Sequence, residues 1–537
     1  MSSPLHKAVS SKDLEKVKEL VQQGADVSMV DNRTYTPLLL AAELGCLDIV
    51  KYLFENGSSK YERTKDEASA MLLAAGANRI EVMEWLIESG NGDLEDRNLY
   101  GSTPILVALC YGTIKTVEWL LNKGARLLDI VDNSQYNAIH LACTFSNWEM
   151  VNFLISKGFS PTCKEGNMTP FILACRAGLL EIAQNLAKLG VAVEDNTSSS
   201  STYTSLMFAI EETNNIELVR WLISTGKCNL NITRNYANPL YIAAAKGNIE
   251  IIELLVANGA KINTDETVDI APLHAAADKN NIEVIEWLLQ QGCPIDQKNS
   301  QGETALIVAD SLETIQLLIQ MGANPRAKCN RGFDVVLQAA CNNKIDVLEY
   351  IIENQLGTLD TKTTEGATPL LIAAAEGNLE IMKWLIKHGS SCDERNQYGS
   401  NAFLVAGSYG QLEVMKFALE NGCSIHDKDY DDFSIQHLVA TGFNESCIDV
   451  LDWLVYEKGV DVLDKHEVYG KTPIQYTAGA LKGKVQLQII EWLLRAGASL
   501  DSDEGKGVLE IAKSKGFEDD VRNIINKITV KSAKAVR

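Results

Sequence analysis

Apolar residues come in short blocks punctuated by glycine, and the pattern is clearest at residues 364–391, TEGATPLLIAAAEGNLEIMKWLIKHGSS. A polar turn leads to Thr368-Pro369, an apolar run follows, Gly377-Asn378 breaks it, and a second apolar run stops at Gly389. The pattern predicts turn, helix, loop, helix, stop. Proline suits the first turn of a helix, where its missing N–H would have no intrahelical partner, and the Thr368 hydroxyl can cap the helix. Gly389 is a C-terminal signal. The first helix carries small residues, Ala373 to Ala375, as do Ala41 with Ala42 and Ala243 to Ala245 in other copies, and small side chains let helices approach closely. The second helix has a larger apolar face, as in Ile251, Ile252, Leu254 and Leu255. No single copy can bury both faces, so stacking must supply the core.

With the Thr-Pro site as a ruler, equivalent positions fall at Pro4, Pro37, Ala70, Pro104, Ala138, Pro170, Ser205, Pro239, Pro272, Ala305, Val335, Pro369, Ala402, Ile435, Pro473 and Val508. Most steps are 32 to 35 residues, so about sixteen copies fill the chain. Pro272, Leu273, His274, Ala275 and Ala276 follow the T-P-L-H-x-A pattern at a period near 33. On these residues the chain closely resembles the ankyrin-repeat family over essentially its whole length. The resemblance implies an all-α solenoid with short β-hairpin fingers, in which fingers and first helices line a concave groove and second helices form the convex back.

Residues 1–537 are therefore expected to form one array. Residues 1–30 are expected to be an N-terminal capping repeat, exposing Lys7, Lys12, Asp13, Glu15, Lys16 and Lys18, and residues 503–537 a C-terminal capping repeat with a basic tail. The chain is expected to be complete, with no appended domain. In the last copy Val521, Ile524, Ile525 and Ile528 form a helical stripe behind Glu518, Asp519 and Asp520. Three irregularities stand out. The step from Ala305 to Val335 is only 30, a three-residue deletion near Asp310, and Val335 lacks Thr-Pro, which predicts the weakest interface at residues 305–340. The step from Ile435 to Pro473 is 38, with extra residues around Thr441–Cys447 and a lengthening near Leu481–Leu487 in the next copy. Asn196–Thr204, NTSSSSTYT, enlarges one hairpin loop and is expected to be a plain tip, with modification as the alternative.

Charge and cysteine content narrow the function classes. A net charge of −22 repels phosphate backbones and anionic lipid, and the only basic stretch is residues 527–537, with Lys527, Lys531, Lys534 and Arg537. That tail is expected to be a solvated end. Nucleic acid is not an expected partner, and no uncharged stretch approaches the ~18 residues of a membrane span. Twelve cysteines without any C-x-x-C pair indicate a reducing compartment, cytoplasmic or nuclear.

Each candidate for chemistry has a structural explanation. His6, His140, His274 and His437 recur two residues after the ruler site, where the resemblance implies a histidine that bonds the backbone of a neighbouring turn. Equivalent side chains in a solenoid stand roughly 10 Å apart, too far to share a metal ion. Cys110, Cys143, Cys175 and Cys341 fall near the Ala-rich end of the first helix and are expected to be buried, inert thiols. Trp85, Trp119, Trp221, Trp287, Trp384, Trp453 and Trp492 sit in second helices, where packing is expected rather than a stacking platform. Nucleotide-binding, metalloprotease, hydrolase and kinase signatures are absent, so no enzyme activity, metal or cofactor is expected.

The fingers are the remaining constellation. DRNLYGS at 96–102 recurs as ERNQYGS at 394–400, and Tyr469 precedes Gly470 in the same slot. Asparagine at the first turn position and glycine at the last push the intervening aromatic outward. Arg97, Tyr100, Arg395, Tyr398 and Tyr469 are thus the candidate partner-binding residues, because arginine and tyrosine dominate interface hot spots; packing on the adjacent finger is the other possibility. The expected function is that of a monomeric scaffold or adaptor binding one or more proteins through the groove. A mechanical spacer or elastic tether, or a host-directed effector or inhibitor built only of such repeats, are the alternatives.

Overall fold

The computed structural model describes residues 3–127, 138–145, 148–162, 168–193, 203–234, 237–262, 271–461, 470–498 and 507–535, with side chains to residue 528 in the last stretch. Every ruler position is the first residue of a helix, and a second helix follows each of them, giving sixteen pairs among the described residues. The chain divides into two compact units, Met1–Lys261 and Ile262–Arg537, each with eight of these pairs.

The residue before the ruler site explains the helix starts. Thr36, Ser69, Thr169, Thr204 and Thr368 each accept a bond from the backbone N–H three residues on through a side-chain oxygen, as do Asn238 and Asn401. Several of these caps also tie adjacent copies, since Thr36 donates to Glu62 and the Asn401 amide donates to Asp427 at 2.7 Å. Ala41, Ala42, Ala243, Ala244, Ala373 and Ala374 are fully buried where first helices pack side by side. Ile251, Ile252 and Leu255 bury the second-helix face.

The deletion after Ala305 is absorbed in the first helix, which shrinks to Ala305–Val308, and Ser311 caps the helix that follows by accepting from the Thr314 N–H. Asp310 then receives Lys344 at 2.7 Å and the Asn342 amide at 3.1 Å from the next copy. The expected loss of a cap at Val335 does not occur: the buried Asp334 accepts from the Leu337 N–H at 3.1 Å and also from the Thr361 hydroxyl. An aspartate serves as a helix N-cap as well as threonine does.

Two copies contain a π-helical turn, Ala209–Thr213 after the first helix Ser205–Phe208, and Trp453–Glu457 after Cys447–Asp452. In the second of these Trp453 is buried, whereas Trp85, Trp119, Trp221, Trp287, Trp384 and Trp492 are half-buried. Trp384 and Trp492 each donate an indole N–H to an acid of the preceding second helix, Glu349 at 3.2 Å and Asp452 at 2.7 Å. The final helix, Glu518–Ala535, turns Val521 inward, and Lys527 pairs with Glu491 at 3.3 Å. No helix among the described residues is long and apolar enough to cross a membrane.

Candidate functional site

Asn98 and Asn396 build the two fingers singled out by sequence. The Asn98 side-chain oxygen accepts from the backbone N–H of Tyr100 at 3.0 Å and of Ser102 at 2.9 Å, and Asn396 does the same for Tyr398 and Ser400, both at 3.0 Å. Gly101 and Gly399 close the turns at φ of +77° and +85°, a conformation that glycine adopts without strain. The tyrosines between are pushed out, with Tyr100 56% and Tyr398 50% exposed. Among the described residues the strand content of the fingers is limited to isolated bridges such as Lys428 with Ser434.

The arginines of the same motif turn back into their own fingers. Arg97 donates to the Gly101 carbonyl at 2.6 Å. Arg395 donates to the Gly399 carbonyl and to Lys428 O at 2.9 Å, and its guanidinium lies 3.7 Å from Asp427. Both guanidinium groups thus bond carbonyls of the fold, Arg395 from a half-buried position and Arg97 from an exposed one, as the finger tyrosines are. Tyr469 lies outside the described residues, as do Asn196–Thr202 of the serine-rich loop.

Adjacent fingers are joined by single backbone hydrogen bonds. Asn330 N–H donates to Gln301 O at 2.9 Å, Thr364 to Arg331 O at 3.0 Å, Gln397 to Glu365 O at 2.9 Å and Tyr430 to Tyr398 O at 2.8 Å. In the first unit Leu99 donates to Asp66 O at 2.9 Å. The histidines reinforce this link from below: His6 Nε2 meets Tyr35 O at 2.8 Å, His140 Nε2 meets Met168 O at 3.1 Å and His274 Nε2 meets Glu303 O at 2.9 Å. His6 and His437 also hold Ser3 and Ser434 hydroxyls at 2.8 Å through Nδ1, a contact that Ala271 denies His274.

Burial lowers the His274 pKa below the ordinary imidazole value of 6.5, so the folded protein holds it neutral. Between the folded and unfolded pKa values the unfolded chain binds the extra proton. Its contribution to stability is therefore complete above about pH 6.5 and declines as pH falls below that. The urea midpoint advantage of wild type over His274→Gln should narrow between about pH 7.5 and about pH 5.5. An advantage that widens on acidification would contradict this.

Each unit has a groove between its fingers and first helices. The groove of the first unit measures about 640 Å³ and is lined by Tyr35, Tyr100, Tyr111, Leu141 and Phe145. Its charges balance, with Arg33 and Lys65 facing Glu43 and Asp66. The groove of the second unit, about 690 Å³, holds Phe333, Ile372, Tyr398, Tyr409 and Phe433. Tyr111, Phe145 and Tyr409 are not among the residues that the sequence motifs pick out. They share one slot, seven residues after the ruler site, and Tyr111 and Phe145 meet edge to face at 4.9 Å. The signal available for them in the sequence is an aromatic ring at the end of an otherwise small-residue helix.

The cysteines divide by the same geometry. Cys143 and Cys175, five residues after the ruler site, are fully buried, whereas Cys110 and Cys341, one residue further round the helix, are half-buried and line the two grooves. The expectation of four buried thiols therefore holds for two, because consecutive helical residues point about 100° apart. Burial raises the Cys175 and Cys341 pKa values and pushes Cys293 up to about 11. Maleimide should modify Cys110 and Cys341 in the native protein before Cys143 and Cys175. Equal rates at all four, read by peptide mass spectrometry, would contradict the assignment. Among the described residues one set of metal-type donors comes together, Asp393, Cys423 and Asp427, within 4.8 Å of one another. Asp427 is already committed to the Asn401 amide at 2.7 Å and the Ser424 N–H at 2.8 Å.

Comparison with known proteins matches residues 2–65, 59–130, 126–197, 193–266, 240–329 and 336–429 to a family model described as ankyrin repeats (3 copies). Among curated relatives, mouse Rabankyrin-5 is 26% identical over 213 residues, 37% of this chain and 18% of that protein. A Caenorhabditis elegans homologue of transient receptor potential cation channel subfamily A member 1 is 26% identical over 185 residues, 34% of this chain and 15% of that protein. L-asparaginase of Dirofilaria immitis is 27% identical over 187 residues, 34% of this chain and 31% of that enzyme. The matched stretches thus span a third or less of each of these three relatives.

Proposed function

The chain belongs to the ankyrin-repeat family, and from that premise we propose that it is a scaffold or adaptor whose protein partners lie in the grooves between fingers and first helices. The observation that carries the proposal is the placing of exposed aromatic side chains, Tyr100 with Tyr111 in one unit and Tyr398 with Tyr409 in the other, over a floor of packed first helices. Tyrosine offers a large rigid contact area at low entropic cost, and finger tyrosines held by an asparagine turn are ordered before a partner arrives. The second-helix face is a weaker candidate, since its tryptophans are half-buried and two of them bond acids of the neighbouring copy.

The same proposal has the protein act without turnover of its own, in a reducing compartment. The match to an enzyme covers 31% of that enzyme, while repeat units account for most of this chain. The test is photo-crosslinking from the full-length protein, with benzoylphenylalanine at position 398 or at position 384. Partner adducts from position 398 and none from 384 are expected. Adducts confined to position 384 would move the functional face to the second helices.

A further inference from the structure

The two grooves differ in charge. Five carboxylates line the groove of the second unit, Glu303, Glu365, Glu376, Asp429 and Asp431, against one cation, Arg331. Even that cation is directed to a ring, lying 5.2 Å from the centre of Phe333. Elsewhere in the first unit, outside its groove, two acids at the end of one first helix are answered by neighbouring copies: Arg176 pairs with Glu212 at 3.5 Å and Lys246 with Glu211 at 3.2 Å. In the second unit Glu365, Glu376 and Asp431 are exposed, and among the described residues no ion pair or side-chain hydrogen bond engages their carboxylates. Glu376 is moreover the last residue of helix Pro369–Glu376, at the negative end of the helix dipole, where a carboxylate is disfavoured by the fold itself. A cation placed there would relieve both the repulsion and the dipole.

The aromatic residues stand between these charges. Tyr398 is on the finger tip, Tyr409 directly follows the first helix of its copy and is 54% exposed, and Phe433 closes the next finger. Flat rings flanked by unpaired carboxylates suit guanidinium and ammonium groups, which can stack on a ring while bonding an acid. Glu365 and Asp431 belong to fingers two copies apart, which at roughly 10 Å per copy is about 20 Å, or about six residues of extended chain.

We propose, resting on the groove reading above, that the groove of the second unit receives an extended segment of a partner protein bearing arginine or lysine at about every third position. Glu365, Glu376 and Asp431 take the cations, and Tyr398, Tyr409 and Phe433 take the aliphatic stems and apolar residues between them. The first unit's groove, with balanced charge, takes no such segment.

The test uses the full-length protein and a fluorescein-labelled peptide of about twelve residues, arginine at every third position among leucine and glycine, read by anisotropy at moderate salt, where a net charge of −22 acts only weakly at a distance. The control peptide has glutamine for arginine. The groove variant is Glu365→Gln/Glu376→Gln/Asp431→Asn. A second variant, Glu286→Gln/Glu353→Gln/Glu420→Gln, removes the same three charges from exposed positions on second helices. Expected are about tenfold or greater weakening for the control peptide and for the groove variant, and a change within about twofold for the second-helix variant. The bound peptide should also slow maleimide modification of Cys341, which lines this groove, and leave Cys110 unaffected.

Equal weakening in both triple variants would trace binding to the overall charge and overturn the proposal, as would equal affinity for the glutamine peptide. Loss of peptide binding in Tyr398→Ala/Tyr409→Ala with no loss in the groove triple variant would overturn the cationic assignment while leaving the groove reading in place. No loss in either, with Cys341 unprotected, would remove both.

Discussion

Replacing Phe403 by alanine should destabilise the second unit by about 3–5 kcal/mol, the largest effect expected from any one change to its core. Phe403 is the second residue of the first helix Ala402–Ser408, is fully buried, and is among the largest side chains with no exposure at all. That helix packs on Pro369–Glu376 and Ile435–Ala440 of the adjacent copies, so collapse of the cavity would require backbone shifts in both. A repeat array transmits such a loss mainly to nearest neighbours. Amide exchange should therefore accelerate first in those three helices and in their second-helix partners, while helices Pro37–Leu44 and Ala70–Gly76 of the first unit keep their protection. A urea midpoint unchanged from wild type would show that the site repacks without cost.

A second large effect is expected from Gly332→Ala, at a buried glycine in a finger. Gly332 has φ of +82°, where a side chain costs about 1–2 kcal/mol, and an added Cβ would lie 2.6 Å from the backbone nitrogen of Thr364. Backbone cannot swing aside as the end of a lysine can. The fingers would have to part, breaking the bond from Thr364 N–H to Arg331 O and adding about 1 kcal/mol. The expected total is about 2–3 kcal/mol, measured by urea unfolding. The control is Gly389→Ala, which shares the positive φ but has no atom within 4 Å of the added Cβ, and should lose only the conformational part.

The helix starts are legible in the sequence because each depends on local chemistry that recurs, a capping side chain followed by proline or another good first residue. Pro369 and Ala402 are equally legible for that reason, and so is the outward placing of Tyr100 and Tyr398, which follows from an asparagine and a glycine within one turn. Asp334 escapes a ruler that asks for threonine, although aspartate offers the same acceptor. The bonds of Arg97 and Arg395 are not legible for a different reason: the carbonyls they reach belong to the closed turn and to the neighbouring finger, and neither is visible as a sequence spacing. Tyr111, Phe145 and Tyr409 stay hidden because a repeat pattern records what recurs in most copies. The groove is lined by what varies in that slot, so the informative positions are those at which the repeat fails to repeat.

The backbone hydrogen bonds that run from finger to finger between Gln301 and Tyr430 have a consequence for how a partner is admitted. Each bond fixes the gap between two neighbouring tips, so the row of tips behaves as a ratchet of set pitch and not as a set of independent probes. A partner cannot widen one gap without giving up a bond, and it gains nothing by narrowing one. The ordering of the receiving surface has already been completed during folding, and the entropy still to be lost on association belongs almost entirely to the incoming chain. Selection should then favour incoming segments whose own spacing is already in step with the tips, and a stiff segment out of step by one residue should be rejected even when its composition is right.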